Sequence, residues 1–252
     1  MTRALRRKLA ASGAGASAGF RWRGQEVSRL EGFTDAVFAF AVTLLVVSLE
    51  VPRSYDELMN VMRGFLAFAV CFAVLVSIWH EHYVFFRRYG LQDGPIVWLN
   101  AALLFVVLFY VYPLKFLFTL VINQLLLRLP APAEATTSAG QARSLFLVYG
   151  SGVIAVFGML ALLYAHALRR REELGLDRVE LFDTRSSLAR NVLAAGVGAV
   201  SIAIALVVPE PTIGLAGYAY FLFGPVFAVH GSISGSRRRK VAASLAAREA
   251  AG

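Results

Sequence analysis

Six long stretches of this chain carry no aspartate, glutamate, lysine or arginine: residues 36–49, 64–80, 94–114, 144–168, 191–209 and 211–236. No other feature restricts the fold so strongly. A helix needs about 20 apolar residues to cross the ~30 Å hydrocarbon core of a bilayer. Inside that core every backbone polar group must be satisfied within the element or its neighbours. With modest extension at their ends, the runs read as six transmembrane helices. Spans 1 to 6 are expected at about residues 30–51, 60–86, 95–122, 145–168, 188–208 and 212–231. Composition agrees, with 58% apolar and 16% charged residues, whereas a soluble domain carries ~25% charged residues. The predicted class is an all-α membrane protein. Cys71 is the single cysteine, so no disulfide forms within the chain.

The net charge is nevertheless +9, which invites a nucleic-acid reading. Topology explains it instead. Six spans put 20 of the 25 lysines and arginines on one side of the membrane, and an excess of such residues marks the cytosolic side. Both termini are therefore expected in the cytosol. An odd number of spans would destroy the asymmetry. Residues 1–27 read as a basic, largely disordered cytosolic tail, 28–233 as the six-span domain, and 234–252 as a second basic cytosolic tail. The start of the chain does not read as a signal peptide, because ASGAGASAGF after the first basic residues has no Leu- or Val-rich core. Pro130 and Pro132 open an outer loop, and Pro209 and Pro211 bracket an outer turn. Pro113 and Gly224-Pro225 are expected to kink spans 3 and 6. The stretch 169–190 reads as a short cytosolic amphipathic segment.

Span 1 holds the most informative residues, SRLEGFTDAVFAFAVTLLVVSLEVP from Ser28 to Pro52. Ser28 and Glu31 have capping-box spacing, so the helix starts before the membrane. Asp35 then falls near the membrane edge. It either complements the positive helix N-terminus or faces protein or water, since an acid against lipid is costly. Matching depth across antiparallel spans places Arg29, Asp35, Trp79, His82 and Asn100 near the cytosolic end. Buried polar groups there need partners, so these residues are expected to cluster. The separate alternatives are an interfacial anchor for Trp79 and single helix–helix contacts for His82 and Asn100. Phe40, Leu44 and Val47 share one helix face. That stripe reads as packing or, on a pore, as a hydrophobic constriction. Thr43 is the lone polar residue of the interior and can bond back to its own helix.

No enzyme signature appears. His80 and His82 are two apart and point to different faces, whereas a helical zinc site needs two histidines one turn apart. No Gly-rich phosphate loop or nucleophile elbow is present.

Arg29-x-x-x-Phe33-Thr34-Asp35, followed by AVFAFAVTLLVVSLEVP, resembles the Arg-x-x-x-Phe-Ser-Asp signature of the endolysosomal potassium channel family (transmembrane protein 175 type). Trp79-x-x-His82, Leu99-Asn100 and Pro113 extend the likeness through span 3, while spans 4–6 match in hydropathy and number. The resemblance implies a homotetramer in a lipid bilayer with span 1 lining a central pore. Potassium would permeate through an apolar constriction at Phe40, Leu44 and Val47. Thr43 would bear on potassium preference. Arg29, Phe33, Thr34, Asp35, Trp79, His82 and Asn100 would form the signature and gating network. No cofactor, metal, nucleic acid or small-molecule substrate is expected. Residue usage resembles that of a high-GC bacterium, which makes the expected location the plasma membrane. Two departures stand out: Thr34 replaces serine and keeps the hydroxyl, and Phe40 stands where the family has Ile or Leu. The alternative function is a proton-leak pathway or secondary transporter using Asp35 and His82, although span 1 lacks the broken helix of many transporter sites. A membrane scaffold would show neither activity.

Overall fold

The computed structural model describes residues 20–47, 52–125, 139–209 and 212–250. The first 19 residues of the basic tail, Glu50, the loop around Pro130 and Pro132, and Pro211 lie outside the described residues. Within them every regular element is a helix.

Helix α1, Arg29–Val47, starts at the expected capping box. The Glu31 N–H donates to Ser28 Oγ at 3.1 Å, and the Ser28 N–H donates to the Glu31 carboxylate at 2.8 Å. Helix α2, Tyr55–Arg63, is short and separate. The start expected for span 2, at about residue 60, falls inside it. Gly64 divides it from α3, Phe65–Tyr89, which ends at Gly90 in the left-handed conformation with φ 61°. Helix α4, Gly94–Leu125, runs on through Pro113 as one element.

Helix α5 is Ala139–Arg169 and helix α6 is Arg178–Val207. Asp177 caps α6, and Glu180 completes a reciprocal capping box. The stretch 169–190 is therefore not an independent amphipathic segment. It is a tight turn followed by the first turns of α6, because Asp177-x-x-Glu180 nucleates the helix early. The final segment also departs from expectation. It breaks into α7, Leu215–Tyr218, a 3₁₀ turn, Ala219–Leu222, and α8, Phe223–Ala250. The interruption lies upstream of Gly224-Pro225. Pro225 falls in the first turn of α8, where its missing N–H has no intrahelical role. The expected C-terminal tail is helical as far as Ala250.

Among the described residues four helices, α3 to α6, are long and apolar enough to cross a membrane. Helix α1 is described over 19 residues and carries Arg29, Glu31 and Asp35 at its start. Helix α1 packs on α3 and α4, and α5 packs along α6. The α5–α6 pair is close enough that a Cβ on Gly198 would lie 2.8 Å from the Gly150 carbonyl oxygen. The core joins α1, α3, α4 and the basic end of α5 through Leu45, Cys71, Phe85, Leu103 and Tyr164.

Residues 20–27 do not form a loose tail. Phe20 is buried against Tyr89, with ring centroids 5.7 Å apart. The Arg23 and Gly24 N–H groups donate to the Arg87 carbonyl at 3.1 and 3.2 Å. The Arg23 guanidinium donates to Glu180 at 2.6 Å, and the Glu180 side chain is fully buried. Gly24 is required by the close approach, because a Cβ there would sit 2.6 Å from the Phe86 carbonyl oxygen.

Candidate functional site

Helix α1 has two unlike faces. Thr34, Phe38, Ala41 and Leu45 are buried against α3 and α4. The opposite stripe, with Phe33, Ala36, Ala39, Phe40 and Thr43, is exposed. Phe33 is 60% exposed and Phe40 is 55% exposed. This face is apolar yet has no cover among the described residues. In the hydrocarbon of a membrane, or against other copies of the chain, such a face is at no disadvantage. Leu44 leans further inward than its spacing from Phe40 implied, since it is half-buried against the core. The side chain of Val47 lies outside the described residues. Thr43 donates its hydroxyl to the Ala39 carbonyl at 2.9 Å.

The polar residues of the first three spans meet near the basic end, but as two separate groups. One is buried and linear. The His82 Nε2–H donates to Asn100 Oδ1 at 2.7 Å. The Asn100 Nδ2–H donates to Thr34 Oγ1 at 2.9 Å. The Thr34 hydroxyl donates to the Leu30 carbonyl at 2.8 Å. Thr34 and Asn100 are 0% exposed and His82 is 1% exposed. Each donor in this chain finds an acceptor, which fixes the order α3 to α4 to α1. The second group is exposed: the Trp79 indole N–H donates to Asp35 Oδ1 at 2.8 Å. Asp35 and His82 are therefore not hydrogen-bonded to each other. Arg29 is exposed and joins neither group.

Several polar links were not legible from sequence. Arg190 of α6 pairs with Glu81 of α3. Asp93, in the turn before α4, receives hydrogen bonds from His166 at 2.6 Å and Arg170 at 2.9 Å. Glu173 and then Asp93 raise the Arg170 guanidinium above its ordinary range. The C-terminal helix is tied down by Arg238 on Asp183 at 2.8 Å. Each acid lies far along the chain from its base or reads locally as a solvated surface charge, so only the fold reveals the pairing. Among the described residues no group of three His, Cys, Asp or Glu side chains is placed to hold a metal ion.

Comparison with known proteins identifies the architecture. The sequence model of a family described as Endosomal/lysosomal potassium channel TMEM175 matches residues 29–110, the region of α1 to α4 that holds both polar groups. A potassium channel of Marivirga tractuosa is 37% identical over 244 residues, covering 93% of this chain and 98% of that protein. A potassium channel of Chamaesiphon minutus is 29% identical over 132 residues, covering 49% of this chain and 63% of that protein. Among solved structures, a variant of the potassium channel MtTMEM175 bound to a nanobody–MBP fusion is similar with a TM-score of 0.78 and 37% identity. That match covers 88% of this chain and all of the other. A lysosomal potassium-selective channel TMEM175 homolog from Chamaesiphon minutus shares the fold at a TM-score of 0.54 and 23% identity, over 80% of this chain and 95% of the other. With a full-length relative at that identity, and the signature residues held on α1, this chain belongs to the TMEM175 family of potassium channels.

Proposed function

We propose that the chain is a potassium-permeable channel of modest selectivity, assembled as a homotetramer with α1 around a four-fold axis. It spans a bacterial plasma membrane six times with both termini in the cytosol. Helix α1 and the segment containing α7 and α8 supply the spans beyond the four long apolar helices. The single observation that carries the reading is the uncovered apolar face of α1, with Phe40 55% exposed at its middle. Four copies meeting on that face surround a narrow apolar path.

Phe40 forms the constriction, with Leu44 and Val47 nearer the outer end and Thr43 beside them. A ring of apolar side chains gates by excluding water rather than by coordinating the ion. Four phenyl groups fill more of the axis than four Ile or Leu side chains, so the rings must rotate for the path to conduct. Thr43 retains acceptor capacity while its proton is directed to Ala39, so its oxygen can face a passing cation. The network of Thr34, Asn100 and His82, with the Trp79–Asp35 hydrogen bond beside it, holds α1 against its own subunit, while Phe33 and Arg29 stay exposed. Potassium is the permeant species, and the reading calls for no cofactor. The proton-leak alternative would need Asp35 and His82 to work together, and their hydrogen bonds run to different partners.

The experiment is potassium flux into liposomes containing the purified protein. Phe40→Ala is expected to raise flux about tenfold, the effect of removing ~1.4 kcal/mol of barrier. Unchanged flux in Phe40→Ala and Phe40→Asn would remove Phe40 from the constriction. Absence of flux from intact tetramers across a range of pH would sink the channel reading.

A further inference from the structure

A groove of about 1400 Å³, open along one side, lies between α3, α4, α5, α6 and the segment from α7 into α8. Its lining includes no residue of the exposed face of α1 and none of the two polar groups of the signature. Pockets for small organic ligands run to ~300–1,000 Å³, so this one suits something longer. Its wall is strongly polarised along the bundle. Arg190 and Ser186 of α6 and His230 and Ser234 of α8 line the end nearest the basic tails. The remainder is apolar and aromatic, with Leu117 and Phe221 among its walls. On α4 the lining runs from Val107 to Val121, roughly 21 Å of helix. That is more than half the thickness of a ~30 Å hydrocarbon core. The slot also reaches the surface of the bundle, where Phe221 is 64% exposed.

We infer that this groove binds a glycerophospholipid with an anionic headgroup, its headgroup at the Arg190–His230 end and an acyl chain along the apolar slot. The polar end can hydrogen-bond a phosphate through Ser186, His230 and Ser234, which already bond one another. Arg190 is committed to Glu81 and leaves no net charge at that spot. The preference for an anion comes from the next turns of α8, where Arg237, Arg239 and Lys240 follow Ser234 and are exposed. Basic residues beside a membrane each favour anionic headgroups by about fivefold. The inference relies on membrane placement alone and is independent of how α1 forms a pore.

Gly231 supplies the test. It lines the groove in the middle of α8, and a Cβ there meets nothing within 4 Å. Leucine at this position fills the slot and also favours the helix over glycine. Full-length protein in detergent is exposed in turn to phosphatidylglycerol, phosphatidylcholine and inorganic phosphate, and adducts are counted by native mass spectrometry. The wild type is expected to retain phosphatidylglycerol at about fivefold or more over phosphatidylcholine and to show no phosphate adduct. Gly231→Leu and Ser234→Leu should each reduce lipid retention about tenfold, with melting temperature maintained. Arg237→Gln/Arg239→Gln/Lys240→Gln should erase the headgroup preference and keep the lipid. Unchanged lipid retention in both filling variants would overturn the proposal, as would equal retention of the two lipids or phosphate binding by the wild type. Loss of subunit association in Gly231→Leu would overturn it too, by showing that a second copy occupies the slot.

Discussion

Replacing Asn100 with leucine keeps the volume and removes both hydrogen bonds that cross between helices. The amide accepts from His82 on α3 and donates to Thr34 on α1. Interhelical hydrogen bonds in membrane proteins average ~0.6 kcal/mol and reach ~1.7 kcal/mol. Two of them amount to about 1–3 kcal/mol. The upper half is the better expectation, because His82 is 1% exposed and its donor is left buried without an acceptor. Thr34→Val should cost less, about 0.6–1.5 kcal/mol. It removes only the acceptor for Asn100, and the Leu30 carbonyl retains its place in the helix ladder. The assay is reversible unfolding of the purified protein in mixed micelles titrated with SDS, followed by circular dichroism. If the two residues interact as drawn, Thr34→Val/Asn100→Leu falls short of the summed single losses by about 0.5–1.5 kcal/mol. Wild-type stability in Asn100→Leu, or strict additivity in the cycle, would refute the linear network.

Three further outcomes follow. Glu81→Gln leaves Arg190 without its anion at a half-buried position; it should cost about 1–3 kcal/mol by the same SDS titration, and Glu81→Gln/Arg190→Gln should recover part of the loss. Gly198→Ala drives a Cβ to 2.8 Å from the Gly150 carbonyl oxygen; it should separate α5 from α6 and cost about 1–3 kcal/mol, whereas Gly196→Ala, which meets nothing within 4 Å, should be neutral or stabilising. Arg23→Gln removes the guanidinium donors to buried Glu180; chymotryptic cleavage after Trp22 should accelerate about tenfold.

The membrane architecture was legible because hydrocarbon leaves little choice of element. Charge-free runs and the Ser28–Glu31 cap located the starts of α1, α3 and α4 to within about five residues, whereas span 5 was expected from 188 and α6 begins at Arg178. The Asp177–Glu180 cap has the same spacing, but the mixed charges around it read as a separate short amphipathic segment, which hides the early start of α6. Helix α2 escaped because nine amphipathic residues give no span-length signal. Depth matching brought His82 to Asn100 and Asp35 to Trp79, since antiparallel helices share a depth scale. It could not separate them into two groups, because which face each side chain takes depends on how the helices are rotated. The docking of Phe20 and Arg23 had no local signal, as Glu180 lies 157 residues away from Arg23.

That docking has a mechanical consequence. The strand entering α1 is bonded at once to the foot of α3, through the Arg87 carbonyl, and to the foot of α6, through Glu180. The lower end of α1 is thereby clamped, and a change in its inclination has its fulcrum at residues 23–29. Phe40 stands eleven residues above Arg29, so its lever arm is ~16 Å. A tilt of about 5° would carry it only ~1.4 Å, while Val47 would swing about 1.6 times as far. A small rotation about a fixed foot is thus magnified along the helix, and the widest travel belongs to the end of α1 farthest from its anchor.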